Sequence, residues 1–150
     1  MFYTLILTLH NLFRWVVVIT AAWALWRAYR GWLGRRMWAV PDRRAGLFLT
    51  MALDIQFLLG LILAFVSPLS RAAFADLGAA MSAGELRFFV AEHIPLTVVA
   101  VVLAHLGSMA SRKASDDTAR HRRAALWYSL TALALLIAIP WWRPLLRLFS

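Results

Sequence analysis

Four runs of apolar residues, each close to the length of a bilayer crossing, constrain this chain more than any motif does. A transmembrane helix needs about 20 predominantly apolar residues. Runs of that kind cover roughly 2–26, 47–67, 88–108 and 125–142. The expected fold is therefore all-α: a four-helix transmembrane bundle forming one domain over residues 1–150. The composition agrees, with 63% hydrophobic residues against about 45–50% in a typical soluble domain. The first run does not read as a removable signal peptide. It is too long, begins without a basic region, and leads into "RAYRGWLGRR" rather than a small-residue cleavage site.

The connecting segments orient the bundle. Residues 27–46 carry six arginines and one aspartate, and residues 110–123 carry five Lys/Arg. The intervening "PLSRAAFADLGAAMSAGELR" balances Arg71 and Arg87 against Asp76 and Glu85. Positive loops stay in the cytoplasm, so both termini are expected on the outer, periplasmic side of a bacterial inner membrane, in a multi-pass protein. The net charge of +9 is thereby a topology signal. The basic residues form no stripe with interleaved aromatics, and nucleic acid is not an expected partner. Trp127 and Tyr128 at one end of the last run, and Trp141 and Trp142 at the other, fit aromatic belts. "SRAAFADLGAAM" reads either as a short amphipathic surface helix, with Ala73, Phe74, Leu77 and Met81 on its apolar face, or as an ordinary loop.

The polar residues inside the runs carry the functional signal. Taking span centres near Trp15, Phe57, Val98 and Ala134, both His10 and His93 lie five residues outward of their centres, roughly 7–8 Å at the helical rise. Two level histidines on different helices can supply both axial ligands of a b-type haem, since bundle cofactor sites are built from facing helices and histidine is a standard haem ligand. On a helical wheel His10 shares its face with Arg14, Val17 and Ala21, and His93 with Thr97, Ala100 and Ala104. Small residues leave room for a flat ring, and equally for close helix packing. Each histidine read alone can instead donate to a neighbouring carbonyl or hydroxyl.

Arg14 lies near the bilayer centre, where a charge costs about 2.5–3.5 kcal/mol even on insertion scales. Asp54 is within roughly 6 Å of it in depth, so an Arg14–Asp54 ion pair is expected, with contact to a haem propionate or a quinone as the alternative for Arg14. His93 and His105 are twelve residues apart and diverge by about 120° around a helix, which argues against a second haem on the same helix. A proton path through Asp54 and His105 is a further alternative. Glu92 is expected to pair with Arg87 or reach the interface, with proton handling at an outer quinol site as the alternative, and His121, in "RHRR", to be a solvated loop residue. Pro95 removes a backbone donor and should bend the third span beside His93. No hydrolytic or transferase set, phosphate loop, HExxH or CxxC occurs, so no catalytic residue is assigned, and four spans without a repeat leave little for alternating access. With no cysteine, thiolate metal sites, covalently attached c-type haem and iron–sulfur clusters are excluded.

"LHNLFRW" and "RFFVAEHIPL", followed by a basic loop and a closing "AIPWW", resemble small bacterial four-span proteins described as cytochrome b-like. The similarity extends over nearly the whole length. It implicates His10, Arg14 and His93 in a haem site. Such proteins are expected to carry a histidine where "ALDIQFLLGL" has Asp54, and that departure argues against an inner-side haem. The reading is a membrane electron-transfer protein with one haem b held by His10 and His93, with quinone as a candidate redox partner and other membrane subunits as neighbours. The alternative is an accessory subunit of a respiratory or photosynthetic complex, without a cofactor or with a histidine on a chlorophyll-type pigment.

Overall fold

A computed structural model describes residues 1–143; the last seven residues of the expected 1–150 domain lie outside them. Helices account for the fold, with no strand among the described residues: α1 (Phe2–Leu33), α2 (Val40–Val66), α3 (Pro68–Ala75), α4 (Leu77–Ser82), α5 (Gly84–Arg87), a π-helical turn (Phe88–His93), α6 (Ile94–Arg112) and α7 (Asp117–Ala138). Three stretches are long and apolar enough to cross a membrane: Phe2–Leu33, Val40–Val66 and the continuous Gly84–Arg112. The molecule is a helical membrane protein on that ground. The apolar part of α7 within the helix covers only 124–138, because its first turns are charged and Pro140 follows its end.

The long helices pack in a ring. α1 lies against α2 and α7, and α6 lies against the same two, so α1 and α6 face each other across the diagonal. Small residues make the close contacts: Ala21, Ala24 and Ala28 on α1, Ala45 and Ala52 on α2, Ala100 and Ala104 on α6, and Ala124, Ala125 and Ala134 on α7 are buried. Large side chains such as Ile19, Leu58, Phe65, Val102 and Leu133 point outward. Lipid tails are as apolar as leucine, so helices associate through backbone proximity rather than by burying bulky side chains, and this inside-out distribution suits a bilayer.

The helix ends explain where the boundaries depart from the apolar runs. α2 begins at Val40 instead of near 47, because Pro41 sits in its first turn and the Asp42 carboxylate accepts the Ala39 backbone N–H at 2.8 Å. The same carboxylate receives Arg27 Nε at 2.8 Å and Nη2 at 2.7 Å, fastening the end of α1 to the start of α2. α1 ends where Arg35 takes a left-handed conformation (φ 46°), with the Arg36 N–H returning to the Gly31 carbonyl at 2.9 Å. α7 starts at Asp117, capped by the Asp116 carboxylate, which accepts the Ala119 N–H at 2.8 Å. Half of the expected basic loop is thereby helical, and His121 is not solvated. It is buried at 1% exposure, stacked near Trp38 at 4.8 Å and pressed over Gly31. Tyr128 is likewise not a belt residue, being buried at 3% with its hydroxyl over Gly46. The segment between the second and third long helices forms two short helices, because Asp76 breaks the run and caps α4 through the Ala79 N–H at 2.9 Å.

Candidate functional site

His10 reaches inward from α1 and His93 from the end of the π-helical turn, and they meet across the diagonal with ring centroids 6.3 Å apart and planes at 67°. The turn results from the expected proline. Pro95 cannot donate to the carbonyl four residues back, and the ladder widens so that the Ile94 N–H reaches the Phe89 carbonyl, five residues back. The Thr97 hydroxyl donates to the His93 carbonyl at 2.7 Å. Such π-turns insert a residue into the helical register and recur at functional sites; here the turn sets the direction in which His93 points.

Each imidazole is held by one neighbour. His93 Nδ1 lies 2.8 Å from the Ala138 carbonyl. A carbonyl only accepts, so Nδ1 carries the proton and Nε2 keeps its lone pair. This is the bond that fixes tautomer and orientation in a metal-ligating histidine. On the other side the Gln56 carboxamide nitrogen donates to the His10 carbonyl at 3.1 Å and lies 3.2 Å from His10 Nε2. His10 Nδ1 and Gln56 Oε1 are buried and have no hydrogen-bond partner among the described residues. Gly60, one turn beyond Gln56, makes room for the ring: a Cβ there would stand 3.3 Å from His10 Cε1.

Around the pair, Phe89 and Phe88 approach His93 at 5.5 and 6.2 Å, and Trp142 packs on Phe88 at 4.5 Å. The Arg143 guanidinium lies over Phe89 at 4.6 Å and donates to Glu85 Oε1 at 2.6 and 2.9 Å. A cavity of about 150 Å³ opens beside the histidines, and Asn11, Arg14, Gln56, Thr97 and Arg143 supply its polar lining. Arg14 is buried at 8% exposure in this wall.

The expected Arg14–Asp54 ion pair does not form. Leu53 and Gln56 take the inward face of α2, at 0% and 9% exposure, so Asp54, about 100° from one and 200° from the other, points outward. It meets His105 Nε2 at 2.9 Å on the outside of the bundle. Glu92 pairs with Arg87 at 3.5 Å, one of the arrangements expected for it. Gln56 and Gly60 are the site residues that sequence reasoning passed over. Their signal was present, since Leu49, Leu53, Gln56 and Gly60 recur at helical spacing along one stripe and a carboxamide at that depth is costly unless partnered.

Only the spacing of the two rings bears on a shared metal ion, since His93 Nδ1 is bonded to the Ala138 carbonyl and His10 Nε2 lies against Gln56. Two ring nitrogens held by one first-row ion at about 2 Å each place the centroids about 6 Å apart, close to the 6.3 Å observed. The cavity itself has room for a benzene-sized ring, so a macrocycle would need side-chain movement along the lining, beginning with release of His10 Nε2 by Gln56. Comparison with protein-family models, curated proteins and solved structures yields no match.

Proposed function

We propose that the chain is a four-span b-type cytochrome of a bacterial inner membrane, with both termini outside, in which His10 and His93 are the axial ligands of one haem. The observation that carries this reading is the diagonal histidine pair at 6.3 Å. The orientation is supported by the two basic segments, 27–46 and 110–123, which join the long helices at one end of the bundle. When bound, haem iron between two imidazoles accepts and releases one electron. The Ala138 carbonyl holds His93 with its Nε2 lone pair free, and Gly60 holds open the place of the His10 ring. Phe88, Phe89 and Trp142 shield the histidines from the aqueous end. Arg14 and Arg143, both in the cavity wall, supply positive charge suited to the carboxylates of the group. Electron exchange with a quinone, and attachment to a larger membrane assembly, belong to the same proposal.

The test is a reduced-minus-oxidised spectrum of protein purified from haem-replete cells, with pyridine haemochrome quantification. The expected result is a b-type α-band near one haem per chain, lost in both His10→Ala and His93→Ala. A protein that folds without haem in such cells would refute the reading.

A further inference from the structure

Where the last turns of α1 pass α7, Gly31 meets His121, and an open groove of about 550 Å³ runs between the two helices on the outside of the bundle. Three kinds of chemistry follow one another along it. Nearest the basic end stands Arg30, in the last turn of α1, with its guanidinium stacked 4.9 Å over the Trp26 ring. Next comes a hydroxyl pair, Tyr29 and Ser129, with 2.9 Å between the oxygens. Beyond the pair the walls are apolar, formed by Leu25, Leu133 and Leu136. A second arginine, Arg122, continues the α7 stripe. It is exposed, seven residues before Ser129, and so within about 20° of it around the helix. Its neighbour His121 rests on Gly31, which sets Arg122 near the depth of Arg30.

We propose that this groove holds one anionic phospholipid: its phosphate on Arg30 and Arg122, its ester region at Tyr29 and Ser129, and an acyl chain along the leucines. Charge selects the occupant. Neither arginine forms an ion pair among the described residues, whereas Arg27, three residues before Arg30, is bound to Asp42. No acidic side chain lines the groove among the described residues. Stacking on Trp26 uses the flat face of the Arg30 guanidinium and leaves its N–H edge, the part that meets a phosphate through two parallel bonds. A zwitterionic headgroup would bring its ammonium to the same place, with no carboxylate there to receive it. Basic pockets between helices are where anionic headgroups gather. The hydroxyl pair fits the next part of the lipid. One O–H donates to the other oxygen, and the second O–H is left over. Against hydrocarbon that donor needs an acceptor, and a lipid ester carbonyl supplies one. A free phosphate would satisfy the arginines but leave the hydroxyl and the apolar walls unused. In the orientation proposed above the lipid belongs to the cytoplasmic leaflet. Its binding rests only on the membrane placement and does not depend on haem.

The test is native mass spectrometry of protein reconstituted in vesicles of equimolar phosphatidylglycerol and phosphatidylcholine, then extracted in mild detergent. Wild type is expected to retain one phosphatidylglycerol per chain. Arg30→Gln with Arg122→Gln is expected to lower the preference over phosphatidylcholine about fivefold for each arginine removed. Arg43→Gln with Arg44→Gln, an equal loss of exposed charge at the same end of the bundle, is the control and is expected to keep the preference. Ala132→Trp fills the groove with both arginines in place and is expected to lose the lipid. Circular dichroism checks that each variant keeps its helices. Excess glycerol phosphate is expected not to displace the lipid. Equal retention of the two phospholipids by wild type would overturn the proposal, as would a loss of preference in the control as great as in the groove variant. Undiminished retention in folded Ala132→Trp, or displacement by glycerol phosphate, would overturn it too.

Discussion

Gln56→Leu separates two roles of the carboxamide that the geometry brings into conflict. The Gln56 amide nitrogen donates to the His10 carbonyl at 3.1 Å and approaches His10 Nε2 at 3.2 Å, two contacts worth about 1 kcal/mol each. Its oxygen, however, is buried without a partner among the described residues, a burden of about 1–3 kcal/mol. Leucine has similar volume, forfeits the contacts and removes the orphaned oxygen, so the two effects offset and the unfolding free energy should stay within about 1 kcal/mol of wild type. Haem affinity should move differently. If His10 Nε2 holds the proposed haem, the amide competes for its lone pair, and relieving that competition, about 1 kcal/mol, should tighten haem binding about fivefold. The assay is haem titration of detergent-solubilised apoprotein followed at the Soret band, alongside a denaturant melt of the apoprotein. Loss of haem binding in a variant with normal stability would refute the reasoning, because it would mean that Gln56 positions His10 for the ligand instead of competing with it.

The remaining predictions concern the framework. Asp42→Ala removes the Ala39 cap and leaves Arg27 without its carboxylate. Arg27 is 23% exposed and can turn toward water, so the expected loss is about 2–3 kcal/mol rather than the full cost of an orphaned buried charge, read from denaturation in mixed micelles. Gly31→Ala should destabilise by about 1–3 kcal/mol through overpacking, because its methyl would collide with the His121 ring; His121→Ala in the same chain should recover most of that loss in thermal melts. The Asp116 carboxyl is held below its ordinary value of 3.8 by the Ala119 N–H and the Ser115 hydroxyl. A depressed folded-state value means that its support of the α7 start is present above pH 3.8 and is lost as the pH falls further. Hydrogen exchange at Ala119 should therefore accelerate relative to the helix centre below about pH 4, and Asp116→Ala should abolish that pH dependence.

What the sequence discloses about this molecule is depth, and what it conceals is direction. His10 and His93 stand at equal distances from the centres of their apolar runs, and they do meet. Asp54 matched Arg14 by the same reckoning, yet the two lie on different sides of α2, one outside the bundle and the other in the cavity wall. Rotation around α2 was readable from the stripe Leu49, Leu53, Gln56 and Gly60, whose small or partnered members mark the inward face. On α6 it was readable too: His93, Thr97, Ala100 and Ala104 share one face on a regular wheel, and the two alanines are buried while His93 and Thr97 line the cavity. His121 shows a limit at a boundary. Its arginine neighbours signal solvent, but the Asp116 cap starts the helix early enough to turn the ring onto Gly31. Hydropathy fixes where a side chain lies along the membrane normal, whereas its azimuth follows from caps, prolines and glycines acting through backbone geometry. Sites that need two side chains to meet across a bundle depend on both.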